Sequence, residues 1–396
     1  MVPTIHNGLT GRSVQEHRRP KASRIKGGTS GMRPGITLAE SLGLARISLF
    51  LSKASRRAPR WWGPAVLACA LAVPAHAGPA PVRDYPDNLF GIALAADGAA
   101  IATGYHGAVK LSADGGQAWT AGESGTADLL RRVTWLDGGR AFAVSHRGRI
   151  LASDDGGRRW QTVHREEGLY LRAIDFADDA SGWAVGHNGV ILHTADGGRS
   201  WATQALSDYK GRDLPRLGAV VALDARRAVA AGEFGVIAAT EDAGATWRVI
   251  TEQVYPTLLD LAIVKDRGYA VGLNGTLLSL GLDGAGTWQV SPVETGGVQH
   301  LLAVALSADG GTGLVGGNGV LFTVTGAKLA PAAVAPEFPL GYAWIGGVAI
   351  GRGGQAVAVG QGGVVLRADR PEGPFLPAAT GPFAIQSLTE TDRVPQ

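Results

Sequence analysis

The repeats in this chain predict an all-β fold, a seven-bladed β-propeller with four strands and about 43 residues in each blade. Three observations carry that expectation. A G-x-x-G-like turn recurs seven times, ending at Gly107, Gly148, Gly189, Gly235, Gly275, Gly319 and Gly363, at spacings of 41, 41, 46, 40, 44 and 44 residues. Each unit holds four short β-rich runs separated by turn signals. Composition agrees: 59 of 396 residues are glycine, about twice the usual share, and ten tryptophans stand beside two methionines and one cysteine.

The units read as 89–124, 130–166, 171–207, 217–253, 258–294, 301–336 and 345–379, so the propeller spans 88–379 with a tail over 380–396. Within a unit, a Leu/Ile/Val run leads to an Ala/Val run ending in glycine. The tight turn follows, then a Val/Ile/Leu run, then a run opened by tryptophan. Asn-Gly and Gly-Gly pairs suit the tight turn because its central residues need positive φ. Seven units favour a closed ring over an open solenoid, since a ring leaves no end repeat to cap and neither end of the array has a polar capping unit.

A second signature falls between the third and fourth strands. It reads Ser112-x-Asp114-x-Gly116-x-x-Trp119, and recurs around Ser153, Asp155 and Trp160, around Thr194, Asp196 and Trp201, and around Thr240, Asp242 and Trp247. This has the form of an Asp box. The aspartate is expected to accept N–H bonds across its own turn while the tryptophan buries an apolar face beneath it. The four aspartates and four tryptophans are therefore read as structural, not catalytic. Unit five drifts to Asp283 and Trp288, and units six and seven lack the pattern.

Upstream, residues 55–77 have the layout of a secretory signal: Arg56, Arg57 and Arg60, then an apolar stretch from Trp61 to Val73, then Ala75-His76-Ala77. Cleavage is expected after Ala77, giving an exported periplasmic or extracellular domain without a membrane segment. A lipoprotein held through Cys69, or twin-arginine export through Arg56 and Arg57, are the alternatives. Residues 1–54 read as a basic presequence or a mis-assigned start. Loss of the leader removes the single cysteine, and with it disulfide and thiol chemistry.

The formal net charge of +3 mixes two regions. Residues 1–60 hold 12 Lys/Arg against two acids, leaving 25 against 32 in the rest. The body is acidic, so the basic balance of the whole chain gives no reason to expect nucleic acid. Nine of the body's arginines nevertheless fall between Arg131 and Arg172, with five acids among them. Unit alignment places Arg131 and Arg172 at the start of the first strand in adjacent blades, on the side of the G-x-x-G turns, and Arg147 inside such a turn. Arg131, Arg132, Arg147 and Arg172 are the expected partner-binding set, against the plainer reading of a solvated face paired with neighbouring acids. The 207–216 loop, with Tyr209, Lys210, Arg212 and Arg216, would extend that rim.

Seven units with a G-x-x-G turn and an Asp box in most of them resemble the photosystem II stability/assembly factor family, BNR-repeat propellers of the sialidase-like superfamily, over about 88–379. The resemblance implies a non-catalytic scaffold with a basic patch that docks a membrane-protein partner. It does not carry over a photosynthetic role. The expected function is a monomeric exported propeller that binds a membrane or envelope complex and assists its assembly or stability. No cofactor is expected. His106, His146 and His187 recur in three successive turns, too far apart for one metal ion. A glycosidase or carbohydrate-binding protein is the competing class, because some sialidases and glucanases use Asp-box propellers. None of the seven tyrosines of the body lies in a nucleophile-like context, and Asp178 and Asp179 fall in a short turn.

Overall fold

A computed structural model of the chain describes residues 88–378 apart from Glu252. The presequence, the signal segment, Cys69 and the tail lie outside the described residues. Within them the fold is seven four-stranded antiparallel sheets, each built from four consecutive strands. The blades run 89–121, 130–165, 171–204, 217–249, 258–292, 301–331 and 345–377. No helix among the described residues is long and apolar enough to cross a membrane.

The first strand of each blade packs beside the first strands of both neighbouring blades, which places it innermost around a central channel. Second strands are buried along their whole length, as Ala141–Ser145 and Gly182–Gly186 show, except for exposed Arg267 at the start of the second strand of blade 5. Fourth strands such as Ala202–Gln204 are largely exposed at the perimeter. This gradient explains the composition of the runs. Second strands sit between two sheets and are rich in Ala, Val and Gly, because inner strands of adjacent blades converge, with single large side chains such as Phe142, Trp183 and Tyr269 filling the remaining space.

Ring closure needs no strand shared between the chain ends. Blade 7 packs on blade 1 through Val357, Val359 and Val365 against Leu89, Ile92 and Ala102. The Gly362 N–H donates to Asn88 Oδ1 at 2.7 Å, and Arg367 Nε donates to the Gly115 carbonyl at 3.2 Å. The last blade is completed by Leu376–Pro377, ahead of the tail. Although it lacks the Asp-box pattern, the 332–338 connection packs along it, with Ala335 N–H bonded to the Phe375 carbonyl and both Phe338 and Phe375 buried.

The two ends of the ring are built differently. At one end each tight turn bonds back to the residue before its own first strand: Tyr105 N–H to the Asn88 carbonyl, His187 N–H to that of Tyr170, Glu233 N–H to that of Arg216. A β-carbon at Gly186 would overlap the Tyr170 carbonyl, which is why a glycine opens the turn. At the other end stand the Ser/Thr-x-Asp-x-Gly-x-x-Trp turns, tied to the first turn of the same blade, as in Gly197 N–H to the Ala180 carbonyl.

In those turns the hydroxyl and carboxylate divide the labour. Thr194 Oγ1 donates to Asp196 at 2.9 Å and accepts the Gly198 N–H at 2.9 Å. Asp196 accepts the Ser200 N–H at 2.9 Å and hydroxyl at 2.6 Å. These bonds, the Ser200 hydroxyl first, hold the Asp196 carboxyl down at about 2. Asp242 is held at about 2 by the Thr246 N–H and then its hydroxyl. Asp114 and Asp155 are lowered chiefly by the N–H groups of Ala118 and Arg159. Trp119 and Trp160 donate to the carbonyls of Gly116 and Gly157. Trp247 is fully buried and donates with Trp183 to Gln204 Oε1, joining blades 3 and 4.

Candidate functional site: the channel mouth

Every first strand carries a β-bulge at its second residue. Gly186 pairs with Leu171 and Val185 with Ala173, so Arg172 is the extra residue; Arg131 stands in the same relation between Leu130 and Arg132. The seven bulge positions are Phe90, Arg131, Arg172, Gly218, Leu259, Leu302 and Gly346. A bulge re-aims a side chain, and here six of these residues, all but Gly218, line one cavity of about 260 Å³ together with Trp344 and Asn318. The cavity is the mouth of the channel at the tight-turn end.

No carboxylate lines it. Arg131 lies over the Phe90 ring at 5.2 Å, and Phe90 stacks on Trp344 at 5.0 Å. Arg172 Nε is buried without a hydrogen-bond partner. Burial, then the nearby Arg131 and Arg216 charges, pushes the Arg172 guanidinium down to about 9; Arg131 is lowered by burial and then by Arg132. Both remain cationic at neutral pH.

One residue deeper, Arg132 of blade 2 pairs with Asp260 of blade 5 across the channel. Asp260 also accepts the N–H groups of Leu261 and, at 2.9 Å, Val304 of blade 6. Asp175 is bonded by the Thr134 hydroxyl at 3.2 Å and the Ala222 N–H at 3.0 Å, yet burial dominates and pushes its carboxyl up to about 6.

The arginine-rich run is thus sorted by the fold. Arg132 is committed to Asp260; Arg147 and Arg149 flank buried Asp128 at 3.8 and 3.2 Å; Arg140 faces Asp154 at 3.4 Å and Arg165 faces Glu167 at 3.0 Å. Of the four expected docking residues, Arg131 and Arg172 meet in the mouth, Arg147 is exposed on the same end, and Arg132 has a structural partner. The 207–216 loop also sits at this end, but Lys210 pairs with Asp208, Arg212 with Asp213, and Arg216 with Glu233, so it adds little free positive charge. His146 accepts the Leu129 N–H through Nδ1, and His187 stacks on Tyr170.

The tight-turn end also gathers apolar surface. Of eight exposed large apolar side chains among the described residues, Tyr105, Tyr170, Leu214, Phe234, Val254, Val298 and Tyr342 lie in its turns and connections. Phe234 is half exposed at φ +60°, a left-handed conformation that costs a bulky residue about 1–2 kcal/mol and that histidine, asparagine or glycine fills in blades 1, 3, 5 and 7. Sequence reading missed Phe90, Leu259, Leu302 and Trp344. Phe90, Leu259 and Leu302 share the aligned position that singled out Arg131 and Arg172, so the signal was present for three of them.

Residues 126–261, from the connection before blade 2 into the first strand of blade 5, match the family model described as Photosynthesis system II assembly factor YCF48. That stretch of the propeller is similar to the photosystem II assembly-factor family. YCF48 from Cyanidioschyzon merolae is similar in structure at 16% identity and TM-score 0.55, over 72% of this chain and 96% of that one. A structure described as YCF48 bound to D1 peptide is similar at 15% identity and TM-score 0.55, over 72% and 92%. The GH74 enzyme of Niastella koreensis shares the fold at 11% identity and TM-score 0.56, over 74% of this chain and 53% of the enzyme. At such identities the structural likeness is one of fold. No curated protein matches the chain in sequence.

Proposed function

We propose that this protein is an exported, non-catalytic propeller scaffold that binds a protein partner with its tight-turn end and assists assembly or stability of a membrane or envelope complex. The observation that carries the reading is the joint presence, at one end of a ring whose residues 126–261 match an assembly-factor family model, of two arginines in a cavity that no carboxylate lines and seven exposed apolar side chains. Unpaired arginine beside exposed aromatic surface is the composition of energetically important interface centres. The YCF48 structure described with a D1 peptide supports peptide or protein binding as this class's activity. The signal layout of residues 55–77 supports export, and residues 78 onward would act as a monomer.

The test is crosslinking capture from the cell envelope of origin. Charge reversal is confined to Arg131, Arg147 and Arg172, because Arg132→Glu would set two carboxylates against each other in the channel. Capture is expected to fall to background while circular dichroism is unchanged; undiminished capture would reject this end as the docking surface. A fluorogenic sialoside and glucoside panel is expected to show no turnover, and hydrolysis abolished by mutating a single acid would overturn the scaffold reading.

A further inference from the structure

We propose that the channel mouth is itself a ligand pocket, built for a compact carboxylic acid carried on a flat apolar body. This goes beyond the docking reading and stands whether or not a protein partner is captured.

The charges make the first argument. Two guanidinium groups project from bulges into one cavity that no carboxylate lines, and the Arg172 Nε is buried with no partner. Elsewhere in the same stretch Arg132, Arg140, Arg147, Arg149 and Arg165 all stand beside carboxylates. Arg158 and Arg159 lie outside the mouth, so of the nine arginines only Arg131 and Arg172 face this cavity, with Glu233 acting on Arg172 from outside its lining; buried cations so weakly compensated are destabilising, and the arrangement has a use for the two. Guanidinium groups donate in a planar fork that fits a carboxylate.

The walls select the rest of the ligand. Phe90 and Trp344 form a stacked aromatic side, and Leu259 and Leu302 give aliphatic contact. Such surfaces suit a planar or branched apolar group. About 260 Å³ lies just below the ~300–1,000 Å³ typical of small-molecule pockets, which restricts the occupant to a compact body. Arg132 is already neutralised by Asp260, so the charge offered to a ligand is that of Arg131 and Arg172, which can both donate to the two oxygens of one carboxylate. The same chemistry is offered by a free aryl acid and by a chain end finishing in an aromatic residue.

Isothermal titration of residues 78–396 with phenylacetate, phenylacetamide, N-acetylphenylalanine and its amide separates these. At least one acid is expected to bind more than ten-fold tighter than its amide, and to lose that preference in the Arg131→Gln/Arg172→Gln variant. Saturation by phenylacetate identifies a free acid; saturation by N-acetylphenylalanine alone identifies a chain end. Because two unpaired cations are removed, the variant's melting temperature is expected to equal or exceed that of the wild type. Equal affinity for acids and amides, unchanged binding by the variant, or no saturation by either acid would overturn the proposal. The acid-to-amide comparison on the unmutated protein decides it even if the variant does not fold.

Discussion

The two ends of the ring are made from the same chain and the same number of turns, but they treat polar groups in opposite ways. At the Asp-turn end the turn hydroxyls and carboxylates are satisfied within a few residues, as in the Thr194, Asp196 and Ser200 set, although the Trp201 indole N–H is buried without a partner. At the tight-turn end two arginines face a cavity that no carboxylate lines, and apolar side chains are held out to solvent, one of them on an unfavourable backbone. One end is therefore satisfied largely within itself, and the other is the end we propose for contact. Binding surfaces carry this signature because groups satisfied internally have nothing left to offer a partner.

That contrast can be broken by mutation. The largest effect is expected from Trp247→Ala, which empties a fully buried site shared by blades 3 and 4 and should cost about 3–5 kcal/mol in urea unfolding. Thr194→Val keeps the shape but leaves the Gly198 N–H without its acceptor, for a loss of about 1–3 kcal/mol. Phe234→Asn should act in the other direction, gaining about 1 kcal/mol by relieving the left-handed phenylalanine while weakening partner capture. A stability loss at Phe234, or none at Thr194, would remove the distinction between the ends.

A separate effect is in the pH profile. Asp196 and Asp242 are depressed to about 2, so the stability they contribute is present above about 4 and lost as pH falls toward 2. Asp175 is raised to about 6, so the unfolded chain ionises first and the folded state loses stability as pH rises from about 4 to about 6, after which the loss is constant. Urea midpoints at pH 2.5, 4, 5, 6 and 7 for wild type and Asp175→Asn read the second effect. The difference between the two proteins should shift in favour of the variant between pH 4 and 6, and a constant difference would refute the buried-carboxyl assignment.

The fold was legible because its determinants are local and repeated. Glycine opens six of the seven tight turns, where a β-carbon would crowd the preceding carbonyl, with Ser145 the exception, and Ser/Thr-x-Asp-x-Gly closes a loop with its own side chains. Ring closure was less legible, since it depends on Val357, Val359 and Leu89 meeting across nearly the whole chain. The site was half visible. Alignment placed Arg131 and Arg172 together at the mouth, but it could not show that Arg132, the adjacent residue, reaches across to Asp260. Nor could it show that the neighbouring arginines are matched by acids. Counting charge along the chain finds an excess, and only the three-dimensional pairing shows which members of it remain free.

The central claim is that contact belongs to the tight-turn end. Hydrogen exchange of residues 78–396 with and without the captured partner tests it most directly. Added protection is predicted at 104–108, 169–173, 212–217 and 233–236. The Asp turns at 112–119, 153–160, 194–201 and 240–247 should exchange as they do in the free protein. Protection confined to the Asp turns, or spread equally over both ends, would contradict the account.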